Sequence, residues 1–256
     1  MKPISRREFE KRALAASLAA AFDLPGDAAQ SSILDPVEAL PPGITRTWIG
    51  PHFWANRLQD WRLHDGRIEC VTGAAGDEVR SVAWLTREMI AGHEPAHLSA
   101  RAGLIEDGGG GGFCGFLVGA GAGALDYRAA ALVQKASGSG GGMLCVYETE
   151  GAIRFRDHTS EEQPLAFAEL PSTALPTQAA FDRRGKFVTD VRLRLDIEPA
   201  TGDRFSLTLT ARNPQTDDVL AGARRDEVRE ADLLGGIALV SSPHTGLEVT
   251  VGVRAF

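Results

Sequence analysis

The chain has 256 residues, with 27 Lys and Arg against 34 Asp and Glu and a formal net charge of -7. That balance excludes the basic footprint of a nucleic-acid-binding protein, and no apolar run reaches the twenty or so residues of a membrane-spanning helix, so no stable membrane insertion is expected. Hydrophobic residues make up 43%, enough for a full core, and 29 glycines point to many tight turns.

The first element is Ser5-Arg6-Arg7-Glu8-Phe9-Glu10-Lys11. This run resembles the twin-arginine export signal, and the resemblance implies that Arg6, Arg7 and Phe9 are read by the twin-arginine export machinery. A basic start followed by the short apolar stretch 13–22 has the layout of a cleavable export peptide. Small residues near positions 19–21 and 28–29 offer cleavage points, and we take residues 1–28 as the signal peptide. Its loss removes five Lys/Arg and four Asp/Glu, taking the net charge from -7 to -8. The expected destination is the periplasm or the exterior. The competing reading is a basic amphipathic helix with Leu14, Leu18 and Phe22 on one face.

Residues 29–45, with Pro36, Pro41, Pro42 and Gly43, read as a linker, and residues 46–256 as one domain. Strand signals dominate from there: 67–72 after the turn Asp65-Gly66, 81–86, 97–104, 113–118, 143–149 and 152–156. In the C-terminal half, 188–197 and 204–212 form a hairpin around Thr201-Gly202-Asp203. Val191, Leu193, Leu195 and Ile197 alternate on one strand, Phe205, Leu207 and Leu209 on the other. Segments 219–223, 236–240 and 247–253 complete about a dozen strands, the spacing of an all-β sandwich. One short helix is expected over 225–234. Cys70, Cys114 and Cys145 are odd in number, lack metal-ligand spacing and lie in apolar runs, so buried, unreactive thiols are expected.

Two patterns imitate catalytic sites. His93-Glu94-Pro95-Ala96-His97 fits H-E-x-x-H, but zinc binding needs that motif on a helix, and Pro95 with the alternation after it favours a turn entering a strand; no metal site is expected. An apolar strand, then Gly119-Ala120-Gly121-Ala122-Gly123-Ala124, an Ala-rich stretch and a strand ending at Glu148 has the layout of a dinucleotide-binding βαβ unit. A dinucleotide-dependent oxidoreductase is therefore the alternative function. Against it, residues 151–256 show short alternating strands rather than further helix and strand alternation, so no cofactor is expected. There is no G-x-S-x-G elbow, phosphate loop or glucanase-type carboxylate strand, and Glu161-Glu162 and Asp217-Asp218 read as solvated loop acids. No catalytic residue is assigned.

The run Trp48-Ile49-Gly50-Pro51-His52-Phe53-Trp54-Ala55-Asn56-Arg57-Leu58-Gln59-Asp60-Trp61, continuing to Val71, resembles the opening of a domain found ahead of the catalytic core in some exported alkaline phosphatase D (PhoD-like) proteins. Gly115-Phe116-Leu117-Val118-Gly119, Asp126-Tyr127-Arg128-Ala129-Ala130 and Gly235-Gly236-Ile237-Ala238-Leu239-Val240-Ser241 fit the same pattern. The resemblance implies a concanavalin A-like jelly roll of two antiparallel sheets, and makes 116–118 and 127–133 strands. It carries no phosphatase activity over: the D-x-H and G-N-H motifs are absent, and the only asparagines are Asn56 and Asn213. The expectation is an exported, non-catalytic jelly-roll domain, either free-standing or cut before a catalytic part, with a glycan as ligand. Trp54, Trp61 and Tyr127 are the candidate stacking residues, with Trp61 in the core as the competing reading.

Overall fold

Alternation of period two builds this protein, and residues 190–199 show it most plainly. Val191, Leu193, Leu195 and Ile197 are 0% exposed, while the residues between them face outward. Burying each such side chain contributes about 1.5–3 kcal/mol, which is what holds the register against a one-residue slip. The computed structural model describes residues 35–36, 40–55, 58–71, 80–105, 113–120, 142–148, 151–157, 168–177, 190–241, 245–248 and 252–253.

The strands are β1 (Asp35–Pro36), β2 (Thr45–Arg46), β3 (Phe53–Ala55), β4 (Trp61–His64), β5 (Arg67–Cys70), β6 (Arg80–Met89), β7 (Ala96–Leu104), β8 (Phe113–Ala120) and β9 (Met143–Glu148). They continue with β10 (Ile153–Asp157), β11 (Ala168–Glu169), β12 (Thr173–Ala174), β13 (Asp190–Pro199), β14 (Arg204–Arg212), β15 (Val219–Arg229), β16 (Gly235–Ser241), β17 (Thr245–Glu248) and β18 (Gly252–Val253). Two single-turn 3-10 helices, Leu58–Asp60 and Glu230–Asp232, are the only helical elements among the described residues.

Seven strands form one sheet in the order β11-β10-β9-β8-β16-β6-β3, and nine form the other in the order β12-β15-β14-β13-β7-β17-β5-β4-β2. A two-residue ribbon joins β1 to β18. The chain passes from sheet to sheet, as between β5, β6, β7 and β8, so that half of the neighbours in the sheets, such as β8 with β16 and β13 with β7, are distant in sequence. This is an all-β jelly-roll sandwich of two sheets, with every pairing antiparallel among the described residues. The inner faces share one apolar core, with Phe116, Cys145 and Phe155 from the smaller sheet and Leu98, Leu193 and Leu207 from the larger.

The smaller sheet is apolar on its other face too. Ala83, Leu117, Leu144, Val146, Ala238 and Val240 form a second cluster, each at most 2% exposed. Consequently β8 and β9 are buried along their whole length on both faces, which is why they read as continuous apolar runs rather than alternating ones.

The helix expected over 225–234 is not there. β15 runs as strand through Arg229, paired with β14 at Phe205 opposite Val228 and Arg204 opposite Arg229, and only Glu230–Asp232 turn as 3-10. The ladder offered by β14 overrides the helix-favouring Arg and Glu content, as tertiary context commonly does. Strands β2, β3 and β4 are additions, too short for a periodicity to show. The signal residues Arg6, Arg7 and Phe9, the whole segment 1–28 and the strand expected over 127–133 lie outside the described residues. No helix among the described residues is long and apolar enough to cross a membrane.

Candidate functional site

The two decoy patterns resolve first. A dinucleotide site needs the strands before and after its glycine loop to be parallel, with a helix crossing between them. Here β8 and β9 are direct antiparallel neighbours, Phe113 opposite Glu148 and Val118 opposite Met143, so the oxidoreductase alternative has no βαβ unit to stand on. Gly119 has φ +74, and a Cβ there would overlap the backbone carbonyl of Asp232. The glycine lets the end of β8 lie against the 3-10 turn Glu230–Asp232. Gly121 lies outside the described residues. Glu148, the acid expected to face a ribose, is buried and held by Arg156 and, at 3.4 Å, by Arg154; its carboxylate is committed to two guanidinium groups.

The H-E-x-x-H pattern spans a bend and the start of β7, so His93 and His97 do not share a helical face. His93 packs edge-on against Phe205, with ring centroids 5.7 Å apart. His97 stands opposite Asp196 on the larger sheet. Among the described residues no group of three His, Cys, Asp or Glu side chains is arranged to hold a metal ion.

The expected stacking residues are not brought together. Trp61 is 1% exposed and part of the shared core, so its ring cannot meet a sugar. Alternation on β4 puts it inside: Trp61 and Leu63 are buried while Arg62 and His64 are not. Trp54 is half-buried on edge strand β3, facing outward between the core residues Phe53 and Ala55. Tyr127 lies outside the described residues. The most exposed tryptophan among the described residues is Trp48, 51% exposed, with the Arg46 guanidinium 4.5 Å from its ring centroid. Sequence reading passed over it because it sits between short strands without a pattern.

The three thiols are free and buried. Burial pushes Cys70 and Cys114 up to about 12 and raises Cys145 as well. Such thiols are neutral at ordinary pH and poor nucleophiles.

Concavity is found at the other edge of the sandwich. A cleft of about 620 Å³ opens between β10 and β11 of the smaller sheet and β12 and β15 of the larger. Ile153, Leu170, Leu175 and Leu220 provide apolar lining, and Arg154, Glu169 and Ser172 a polar part. Arg154 Nη1 donates to Glu169 Oε1 at 2.7 Å. Leu175 N donates to Gly222 O at 2.9 Å, which fixes the segment after β11 along the edge of the larger sheet. Arg225 Nη1 holds the same segment through Pro171 O at 2.9 Å. The lining comes from three stretches far apart in sequence, none with a local motif. Its ionisable groups neutralise each other, so the cleft has hydrogen-bonding capacity but no nucleophile beside a base.

No protein-family model matches this chain, and no curated protein does. Solved structures similar to it include the carbohydrate recognition domain of Emp46p in a mutant form, with TM-score 0.41 and 12% identity over 78% of this chain and 83% of that one. Another is the CBM2 module of the evolved Dit of Lactobacillus casei BL23 phage J-1, with TM-score 0.36 and 8% identity over 69% and 70%. A third is the legume lectin-like domain from Entamoeba histolytica, with TM-score 0.33 and 9% identity over 75% and 84%.

Proposed function

We propose that this chain is an exported, non-catalytic domain that binds a glycan in the cleft between β10, β11, β12 and β15. The observation that carries the reading is the make-up of that cleft. Ile153, Leu170 and Leu220 suit the C–H face of a sugar, Arg154, Glu169 and Ser172 suit its hydroxyls, and the Arg154–Glu169 pair leaves no acid or base free for chemistry. A rigid two-sheet frame on either side of the cleft keeps the ordering cost of binding low. A relation to the domain that precedes the catalytic core of PhoD-like proteins is part of the same proposal, supported by the runs at 48–71 and 235–241.

The test is a glycan array probed with the purified protein, repeated with Ser172→Trp, which fills the cleft from an exposed position. Binding that disappears in Ser172→Trp and survives in Trp54→Ala is the expected result. Loss in Trp54→Ala alone would move the site to the β3 edge. Export is tested separately. With Arg6 and Arg7 both replaced by Lys, the protein should stay unprocessed in the cytoplasm, and normal delivery would rule the signal reading out.

A further inference from the structure

Arg225 is a charged residue at a core-facing place. It stands in β15 directly opposite the core residue Leu207, and two positions on from Ala223, which also belongs to the core. Its partly buried side chain therefore enters the space between the sheets, where its charge reaches the Cys145 thiol of β9. Burial raises that thiol and outweighs the opposite pull of Arg225, so Cys145 supplies no counter-charge. Among the described residues Arg225 has no carboxylate partner: its Nε is buried without an acceptor, and its one hydrogen bond runs from Nη1 to Pro171 O at 2.9 Å. A guanidinium carries five N–H donors and is costly to withdraw from water uncompensated, so arginine at this position lowers the stability of the fold.

What this arginine holds is a wall of the cleft. β11 pairs with β10 in the smaller sheet and β12 with β15 in the larger, so the three residues Leu170, Pro171 and Ser172 carry the chain from one sheet to the other. Packed sheets lie about 10 Å apart, and the four steps from Glu169 to Thr173 span about 13 Å when extended. A crossing with so little slack moves as a unit. The strands on either side have two residues each, and Pro171 has no N–H to give, so ladder bonds do little to fix its place. Leu170 N donates to Phe155 O at 2.8 Å, and the bond from Arg225 is the one side-chain hydrogen bond to residues 170–172 among the described residues. All three residues line the cleft beside Glu169, the partner of Arg154.

We propose that Arg225 is the positioning residue of the cleft: by holding Pro171 O it sets the crossing so that Glu169 and Ser172 face the ligand, and the unpaired charge is kept for that role. This rests on the glycan-binding reading and names what shapes its site. A methionine of similar length would fill the same space between the sheets without a donor for Pro171 O, so it separates the positioning role from packing. A lysine keeps the charge and a donor.

The experiment compares the full chain with Arg225→Met and Arg225→Lys in three measurements: thermal melting, hydrogen exchange of the Leu170 and Leu175 amides, and binding to the glycan array. Arg225→Met should melt no lower than the parent, because it removes an uncompensated buried charge. Its Leu170 and Leu175 amides should exchange about tenfold faster, the change expected from losing one hydrogen bond to a charged donor, and glycans retained by the parent should be lost. Arg225→Lys should exchange more slowly than Arg225→Met at both amides and keep part of the binding. Failure of Arg225→Met to fold, or faster exchange throughout both sheets, would make the arginine a plain structural residue and overturn the proposal. Unchanged exchange at the two amides, or array binding equal to the parent's, would overturn it too while leaving glycan binding in place. Absence of glycan binding by the parent would remove the glycan reading and the ligand-facing role together, and the exchange rates would still decide whether Arg225 holds the crossing.

Discussion

Arg80 Nε donates to Asp60 Oδ2 at 2.7 Å, and the two side chains are 1% and 5% exposed. Arg80 opens β6 in the smaller sheet, whereas Asp60 ends the 3-10 turn that leads into β4 of the larger one, so the ion pair bolts the two sheets together at one point of the core. Asp60 O also accepts from Val71 N at 2.8 Å, tying in the end of β5. Replacing Asp60 by Ala takes the carboxylate away from a buried guanidinium. We expect a loss of about 3–5 kcal/mol in urea unfolding, with a much smaller loss when Asp232 of the exposed surface pair Arg229–Asp232 is replaced. Comparable losses at the two sites would contradict the bolt.

Stability should fall at high pH because of the thiols. Burial raises Cys70 and Cys114 to about 12 and Cys145 too, above the value near 8.5 of an unfolded thiol. Their contribution is complete below about pH 8.5 and shrinks as pH rises towards 12, since the unfolded chain loses these protons first. Each thiol adds a slope on the order of 1.4 kcal/mol per pH unit in that window. Melting curves at pH 8, 9 and 10 read the effect, and Cys114→Ala should flatten it. A thiol reagent at pH 8 should label all three cysteines only after unfolding.

Gly119 is a packing glycine, so Gly119→Ala should destabilise the fold by about 1–3 kcal/mol through its positive φ and the overlap with the Asp232 carbonyl. Adding NAD(P) or FAD should shift the melting temperature of neither protein. A cofactor-dependent shift abolished by the substitution would restore the dinucleotide reading.

Leu144 lies on the outer face of the smaller sheet yet is 1% exposed within the second cluster. Leu144→Ala should therefore cost about 2–5 kcal/mol, as a core truncation does. A loss under about 0.5 kcal/mol, the size of an ordinary surface substitution, would show that face to be open to solvent.

Most of the β-sandwich could be read from the chain, because period-two alternation follows directly from which face of a strand meets the core. Strand β14 falls at the predicted bounds, and β13, β7 and β16 within about two residues of them. Where both faces are buried, the same residues carry no period, and the run from Phe113 to Glu148 was compatible with a βαβ unit until antiparallel pairing of β8 with β9 decided it. Trp61 was legible as either stacking or core residue, and only the alternation of β4 against the opposite sheet placed it inside. The cleft was not legible at all. Strands β11 and β12 have two residues each, too few for a pattern. The alternation within each strand is local chemistry and is written in the sequence, but which strand lies beside which is set by how the two sheets bury their shared core, and the candidate cleft depends on that order.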